Sequence, residues 1–350
     1  MKLNDIAYFA AQITRMHLLR NCRVPLSVYL VLTYRCNNSC VYCRARNIPQ
    51  KGEWTLDSLK TVLLDMQACG VRRLHLTGGE PMLREDIGKI ISYAKELGFF
   101  VGMSTNGFEI AARVKELKGL DVVFLSYDGP FQIHARLRGE RNAQDVRAAL
   151  CALKEAEIRV WTSTTLTRWN IEFIDDIVDF AKRENILANF NRLEYFLEAP
   201  GNLHPHIDEI KELVLSPQER RNVFKKLIKL KLSKAPIGSS LGYLKNALDW
   251  PYAHRVTDAK PSKGYQCWAG RAFGHLEADG NLHACGWGAL RQEAGVNVLE
   301  TGFRQAWDKL IPLVGCKSCS HACGVENNLL FSLDLPTIFN AFIQLHRQEK

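Results

Sequence analysis

The chain has 350 residues, 47% of them hydrophobic and 24% charged, enough to bury a sizeable core without disulfides or metal staples. A net charge of +9 suits an anionic cofactor, an anionic substrate or an acidic partner, but the basic residues are spread and form no nucleic-acid-binding motif. The 11 cysteines are odd in number and clustered, which excludes a secreted disulfide framework. With no signal-peptide pattern and no apolar run near the ~20 residues of a membrane span, a cytoplasmic location is expected.

Residues 1–24 read as an N-terminal helical segment. Ile6 to Leu19 is apolar on one face, with Arg15, His17 and Arg20 among its polar positions. Such a face packs against a larger body more often than it lies on a membrane surface. Pro25 to Thr33 is an apolar, β-branched run and reads as a buried strand. The loop leaving it carries Cys36, Cys40 and Cys43, with Tyr42 just before the last. Iron–sulfur clusters are normally held by four thiolates. Three at this spacing leave one iron open to a substrate or cofactor, whereas a structural metal site closes every position.

From here to about Leu197 helices and strands alternate. Helix Thr55–Ala68 (Leu56, Leu59, Val62, Leu63, Met66) closes at Gly70, and strand Val71–Leu76 leads into Thr77-Gly78-Gly79-Glu80-Pro81. Helix Glu85–Leu97 ends at Gly98, and strand Phe99–Met103 runs into Asn106-Gly107. Helix Glu109–Leu117, strand Val122–Leu125, helix Asn142–Ala156, strand Ile158–Thr165, helix Ile171–Arg183 and strand Ala188–Phe196 follow. Six strands separated by helices predict parallel βαβ units. The expected fold class is α/β, a partial (β/α)6 barrel of the TIM type over residues 25–235, with sites at the carboxyl ends of its strands. Ser216-Pro217-Gln218-Glu219 is a capping box opening a helix to about Leu232, whose lysines read as a solvated face. Cys22, Cys69 and Cys151 read as small buried hydrophobes.

The Cys36–Cys43 loop and the Gly78-Gly79-Glu80 motif, each directly after a strand, together resemble the radical S-adenosylmethionine enzymes. The resemblance implies a 4Fe–4S cluster on Cys36, Cys40 and Cys43. It further implies that Gly78, Gly79 and Glu80 bind the amino group of the cofactor's methionine, with Tyr42 near its adenine. Asn106, Ser126 and Arg138 stand where the family places polar groups for the ribose and carboxylate. Arg136 could serve instead of Arg138, since either guanidinium can clamp a carboxylate, while Asn106-Gly107 and Asp128-Gly129 also read as plain turns.

Residues 236–350 form a smaller Cys-rich region ending in a helix. Cys267, Cys285, Cys316, Cys319 and Cys323 are similar to the SPASM and shorter twitch extensions of that family, which carry auxiliary 4Fe–4S clusters. A full SPASM set has seven cysteines and none follows Cys323 here, so one auxiliary cluster is expected, on Cys267, Cys285, Cys316 and either Cys319 or Cys323. His321 is set aside because histidine ligation of such clusters is uncommon; the same spacing could build a zinc site. Trp268 and Trp287 flank two of these thiols and either shield a cluster or simply pack.

The resemblance implies an oxidoreductase or maturase in which a reduced cluster cleaves S-adenosylmethionine and the 5′-deoxyadenosyl radical removes a hydrogen atom from substrate. A peptide or a cofactor or natural-product precursor is the expected substrate; a lipid or small anionic metabolite, and a non-catalytic iron–sulfur or zinc module, are the alternatives. A radical methyltransferase using cysteine chemistry would need thiols at strand ends, and Cys69 and Cys151 fall on predicted helices. A flavodoxin or ferredoxin would supply the electron. The segments before Cys36 and after Cys323 are too short for a winged-helix peptide-recognition domain, so a peptide would come by a separate carrier protein or direct recognition. Nucleic-acid partners and a transmembrane segment are not expected.

Overall fold

The computed structural model describes residues 3–19, 21–43, 52–193, 207–252, 256–258, 260–261, 264–290, 294–311 and 316–346. Helix α1 (Leu3–Leu18) precedes β1 (Ser27–Val31). Then come α2 (Leu56–Ala68), β2 (Arg73–Thr77), α3 (Ile87–Glu96), β3 (Phe100–Thr105), the single turn α4 (Ile110–Arg113) and β4 (Val122–Ser126). Helices α5 (Phe131–Arg138) and α6 (Glu140–Glu155) lead to β5 (Val160–Leu166), α7 (Ile174–Arg183) and β6 (Leu187–Arg192). Strands β1 to β6 are parallel neighbours in chain order, the expected partial barrel.

Propensity and capping place these helices. Thr55 caps α2 through Ser58 N, and Leu59, Val62, Leu63 and Met66 bury one face at helical spacing. The region read as helix Glu109–Leu117 is instead α4 followed by a 3-10 turn, Val114–Leu117. Helix α5 has no counterpart in the sequence reading. The last three residues of the strand expected over Ala188–Phe196 lie outside the described residues.

After β6 come α8 (Ile207–Leu213), α9 (Pro217–Leu232) and α10 (Leu241–Asp249). The capping box at Ser216 is present, with both of its hydrogen bonds. The chain continues through β7 (Thr257–Asp258), β8 (Phe273–Leu276), β9 (Asn281–His283), α11 (Gly286–Leu290) and β10 (Val296–Asn297). It then passes α12 (Val298–Thr301), α13 (Phe303–Lys309), β11 (Ser318–Cys319), α14 (Ala322–Phe331) and α15 (Leu335–His346).

The Cys-rich region extends the barrel sheet. Strand β8 pairs in parallel with β1, Ser27 opposite Phe273, and β9 and β10 continue antiparallel, giving nine strands among the described residues. Helix α1 buries Phe9, Ile13 and Met16 in a second core with Trp268, Phe273 and Phe331, so it packs against the body of the protein. Cys69 is buried and Cys22 half-buried, but Cys151 is exposed on α6, contrary to the buried reading.

Helix α13 fixes the added strands. Trp307 is fully buried, and Gly274 of β8 leaves room for its ring, since a Cβ there would lie 2.9 Å from the indole. Trp307→Ala is expected to destabilise the protein by about 3–5 kcal/mol through lost contacts and a cavity, read as a lower urea midpoint with an unchanged slope.

Candidate active site

The two signature loops touch through their backbones. Beyond β1 the chain runs beside the end of β2: Leu32 N donates to Thr77 O at 2.9 Å, Gly79 N to Thr33 O at 2.8 Å and Glu80 N to Arg35 O at 2.8 Å. A Cβ on Gly78 (φ +146°) would collide with the Thr33 carbonyl, and one on Gly79 with the Arg35 carbonyl. Both glycines are therefore required by this close approach. It holds Glu80 against the cysteine loop. The Glu80 carboxylate is 1% exposed and accepts hydrogen bonds from Met82 N (3.0 Å), Thr105 Oγ1 (2.8 Å) and Asn106 N (2.7 Å). Burial pushes its pKa up to about 7 against the pull of those donors.

The Cys43 thiolate disfavours ionisation of both Cys36 and Cys40, and Cys36 does the same to Cys40, so the three lie close together. Burial raises the Cys40 thiol to about 12, and Arg138 opposes it, with Nη1 3.8 Å from the sulfur. Burial also raises Cys36, opposed by the backbone N–H of Asn38. Val41 N donates to Leu137 O at 3.0 Å, tying the loop to α5. Thiols in this state ionise when a metal supplies the positive charge. Three neighbouring thiols beside a backbone cradle suit a cluster with one iron left open.

A buried carboxylate, Asp128, organises the other side. It is 0% exposed and sits just beyond β4. Its Oδ2 accepts from Arg138 Nε at 2.6 Å and from the Tyr42 hydroxyl, and its Oδ1 from Thr165 N at 2.9 Å. His134 Nδ1 accepts from Asp128 N at 3.0 Å, so the other ring nitrogen carries the proton and faces Asn142 Oδ1 at 2.8 Å. Burial lowers the His134 pKa to about 4 and keeps the ring neutral. Asn142 Nδ2 donates to Asn106 O at 2.7 Å, and Asn106 Nδ2 to Asn37 Oδ1 at 2.9 Å, which closes the circuit on the cysteine loop. Asp128, His134 and Asn142 were not singled out as site residues from the sequence. Their one local signal is the Ser-Tyr-Asp-Gly run leaving a buried strand.

Arg138 is thus committed to Asp128 and Cys40. Arg136 stacks on Trp169, 3.6 Å from the ring centre. Ser126 ends β4, half-buried and in register with Ser163.

Cys267, Cys285, Cys316, Cys319 and Cys323 line one cavity of about 510 Å³, shared with Tyr29, His75 and Ser104 of the barrel interior. They are not equivalent. Burial pushes the Cys319 thiol well above its usual range, and Cys267, Cys285 and Cys316 raise it further. Cys323 is exposed in the first turn of α14 and acts on Tyr29. His321 caps that helix, its Nδ1 accepting from Gly324 N at 3.2 Å. Trp268 is fully buried and donates Nε1 to Ser332 Oγ at 2.9 Å; the Trp287 side chain lies outside the described ones. Among the described residues no three His, Cys, Asp or Glu converge on a single-ion position; a four-iron cluster is bulkier and holds its thiolates further apart.

A three-thiol loop beside a glycine cradle, at the carboxyl edge of a parallel partial barrel, defines an iron–sulfur enzyme that works on S-adenosylmethionine. Residues 30–183 match the Radical SAM superfamily and form a domain of that kind, whose cofactors are a 4Fe–4S cluster and S-adenosylmethionine. It is 28% identical to the Fe-coproporphyrin III synthase of Methanosarcina barkeri over 80% of this chain and 72% of that one. It is 28% identical to the PqqA peptide cyclase of Bradyrhizobium diazoefficiens over 56% of each. Streptococcus suis SuiB, solved with its precursor peptide SuiA, superposes with a TM-score of 0.65 at 17% identity over 85% of this chain and 68% of SuiB, a likeness of fold. No helix among the described residues is long and apolar enough to cross a membrane.

Removing one partner of a buried ion pair strands the other charge and costs about 3–5 kcal/mol. Asp128→Asn is expected to destabilise the protein by that order in urea denaturation. Adding Arg138→Leu should recover much of the loss, which a double-mutant cycle measures.

Proposed function

We propose that this radical S-adenosylmethionine enzyme oxidatively modifies a peptide, with an auxiliary 4Fe–4S cluster taking part beside the barrel lumen. Cys36, Cys40 and Cys43 would hold the first cluster. Gly78, Gly79 and Glu80 would receive the cofactor's amino group, and Tyr42, Asn106 and Ser126 would line its adenosine. Arg138, bound to Asp128, would act chiefly by holding Cys40 in place. Cys267, Cys285, Cys316 and Cys319 would close the auxiliary site, leaving Cys323 towards the lumen. When bound, the reduced cluster and S-adenosylmethionine supply a radical able to remove a hydrogen atom from a nearby carbon.

The observation that carries the peptide reading is the lining of the lumen. A cavity of about 230 Å³ is bordered by Ser104, Ser163, Asn189, Asn191 and Cys323, together with His75. Burial lowers the His75 pKa to about 4, so this ring adds no positive charge, and it bonds Ser104 Oγ at 2.8 Å. Neutral amides and hydroxyls pair with peptide groups. A porphyrin with several carboxylates calls for guanidinium clamps; among the described residues bordering this cavity the one Arg or Lys is Arg73, which is bound to Asn327, and Glu326 adds a carboxyl group. A flavodoxin or ferredoxin would supply electrons, and the +9 net charge suits such acidic partners and an acidic peptide carrier.

Anaerobic assay with a panel of peptides and iron coproporphyrin tests the substrate class: modification of the porphyrin and of no peptide would overturn it. Cys40→Ala is expected to abolish 5′-deoxyadenosine formation while leaving far-UV circular dichroism unchanged. Iron analysis should give about eight irons in the wild type and about four in Cys319→Ala.

Glu80 sets a pH dependence. With the folded pKa raised to about 7, the carboxylate is ionised above that value and neutral below it, and only the ionised form pairs with an ammonium. Affinity for S-adenosylmethionine is expected to fall as pH drops through about 7, by up to about tenfold per unit. Calorimetric titration of the cluster-loaded protein from pH 8 to 6 checks this, and a flat profile contradicts it.

A further inference from the structure

Asn328 is 1% exposed on α14 and lines the cavity that holds the five C-terminal thiols. Its amide has one orientation, because Oδ1 accepts from Trp268 N at 2.8 Å and the flipped form would set donor against donor. Nδ2 is then the end free to turn to the thiols; among the described residues no oxygen or nitrogen accepts from it, and its contact is with the Cys267 thiol, whose ionisation it favours, short of full hydrogen-bond geometry. A buried donor without a full partner is costly, so a strong acceptor at that position is favoured. The group it faces is Cys267, the residue before Trp268. Gly324, four residues earlier on the same helix face, brings α14 against the thiols: a Cβ there would lie 3.2 Å from Cys319 Sγ.

We infer that Asn328 is a positioning residue for the auxiliary cluster, its Nδ2 donating an N–H···S hydrogen bond to the Cys267 thiolate or an adjoining cluster sulfide and so raising the cluster's reduction potential. The inference rests on the reading of Cys267, Cys285, Cys316 and Cys319 as cluster ligands. Reduction adds negative charge that the sulfurs share, so a donor aimed at them stabilises the reduced form more than the oxidised one. Burial strengthens the effect, since the dipole acts through protein rather than water. Cys267 also receives the Ala269 backbone N–H, and Cys319 that of His321. Side-chain replacement leaves those donors in place, whereas Asn328 is a donor that substitution can delete.

The test is a redox titration followed by electron paramagnetic resonance on the anaerobically reconstituted full chain. The signal that responds to S-adenosylmethionine marks the first cluster, and the unresponsive one the auxiliary. Asn328→Asp keeps an acceptor for Trp268 N and replaces the donor with a second oxygen; Asn328→Leu removes the donor without adding charge. Both are expected to lower the auxiliary midpoint by the equivalent of about tenfold or more in the oxidised-to-reduced ratio, about 59 mV for one electron, with the first cluster unmoved. If Asn328→Asp fails to assemble its iron, Asn328→Leu carries the test. An unmoved auxiliary midpoint in either iron-replete variant overturns the inference. A wild-type protein holding only about four irons sinks the auxiliary-cluster reading beneath it, a separate outcome.

Discussion

The buried pair of Asp128 and Arg138 is the interaction on which the first site depends. Taking two charges out of water is expensive, and their attraction offsets that cost only when the remaining lone pairs are also satisfied. Here they are: Arg138, Tyr42 and Thr165 all donate to one carboxylate. The pair joins four pieces of chain, namely the cysteine loop through Tyr42 and Cys40, the end of β4, the helix α5 and the strand β5. Its second consequence is electrostatic. The guanidinium, neutralised on one side, presents its remaining positive edge to Cys40 and opposes the effect of burial on that thiol. One ion pair thus both ties down Cys40 and opposes the effect of burial on its thiol.

The alternating strands and helices were legible because parallel strands buried on both faces are near-continuous apolar runs, and the first two helices between them stop at Gly70 and Gly98. Gly78 and Gly79 were legible for a different reason. Only glycine allows the backbone of one loop to lie against that of another, so the requirement appears directly as residue type. Asp128 was hidden because Asp-Gly after a strand is also an ordinary turn; what distinguishes it is a partner ten residues on and a tyrosine 86 residues back. Strands β8 to β10 were hidden because they are two to four residues long. Their pairing spans the chain, with Ser27 opposite Phe273, and no local pattern records it.

That pairing makes the C-terminal region part of the barrel. Strand β1 lies between β2, which ends in the glycine cradle, and β8, which starts six residues after Cys267. Leu26 N and Ser27 N both bond Ala272 O, at 2.8 and 3.2 Å. The separation of the two thiol groups is therefore fixed by strand spacing and not by a linker. Tyr29 and His75, on adjacent strands, border both the cavity lined by the C-terminal thiols and the cavity in the lumen. Cys323 borders both cavities as well, so the lumen opens directly on the C-terminal thiols.

The two groups differ in what surrounds them. Cys40 has a full positive charge at 3.8 Å, whereas the influences on Cys319 after burial are three other thiols, opposed by the backbone N–H of His321. Each thiolate formed at the second site makes the next harder to form, so ionisation there waits on an incoming metal charge. Once such a centre is closed by four thiolates it has no vacancy for a sulfonium, and what the protein can still adjust is how strongly it holds an electron. Backbone N–H groups at a helix start and an oriented amide do that without adding net charge, and they cost little reorganisation because the helix already fixes them. At the three-thiol loop, on the reading proposed above, the free coordination position would be the functional element, and a buried ion pair holds the loop beside it. At the C-terminal thiols, on the reading proposed above, the functional element would be the potential, on which fixed dipoles act.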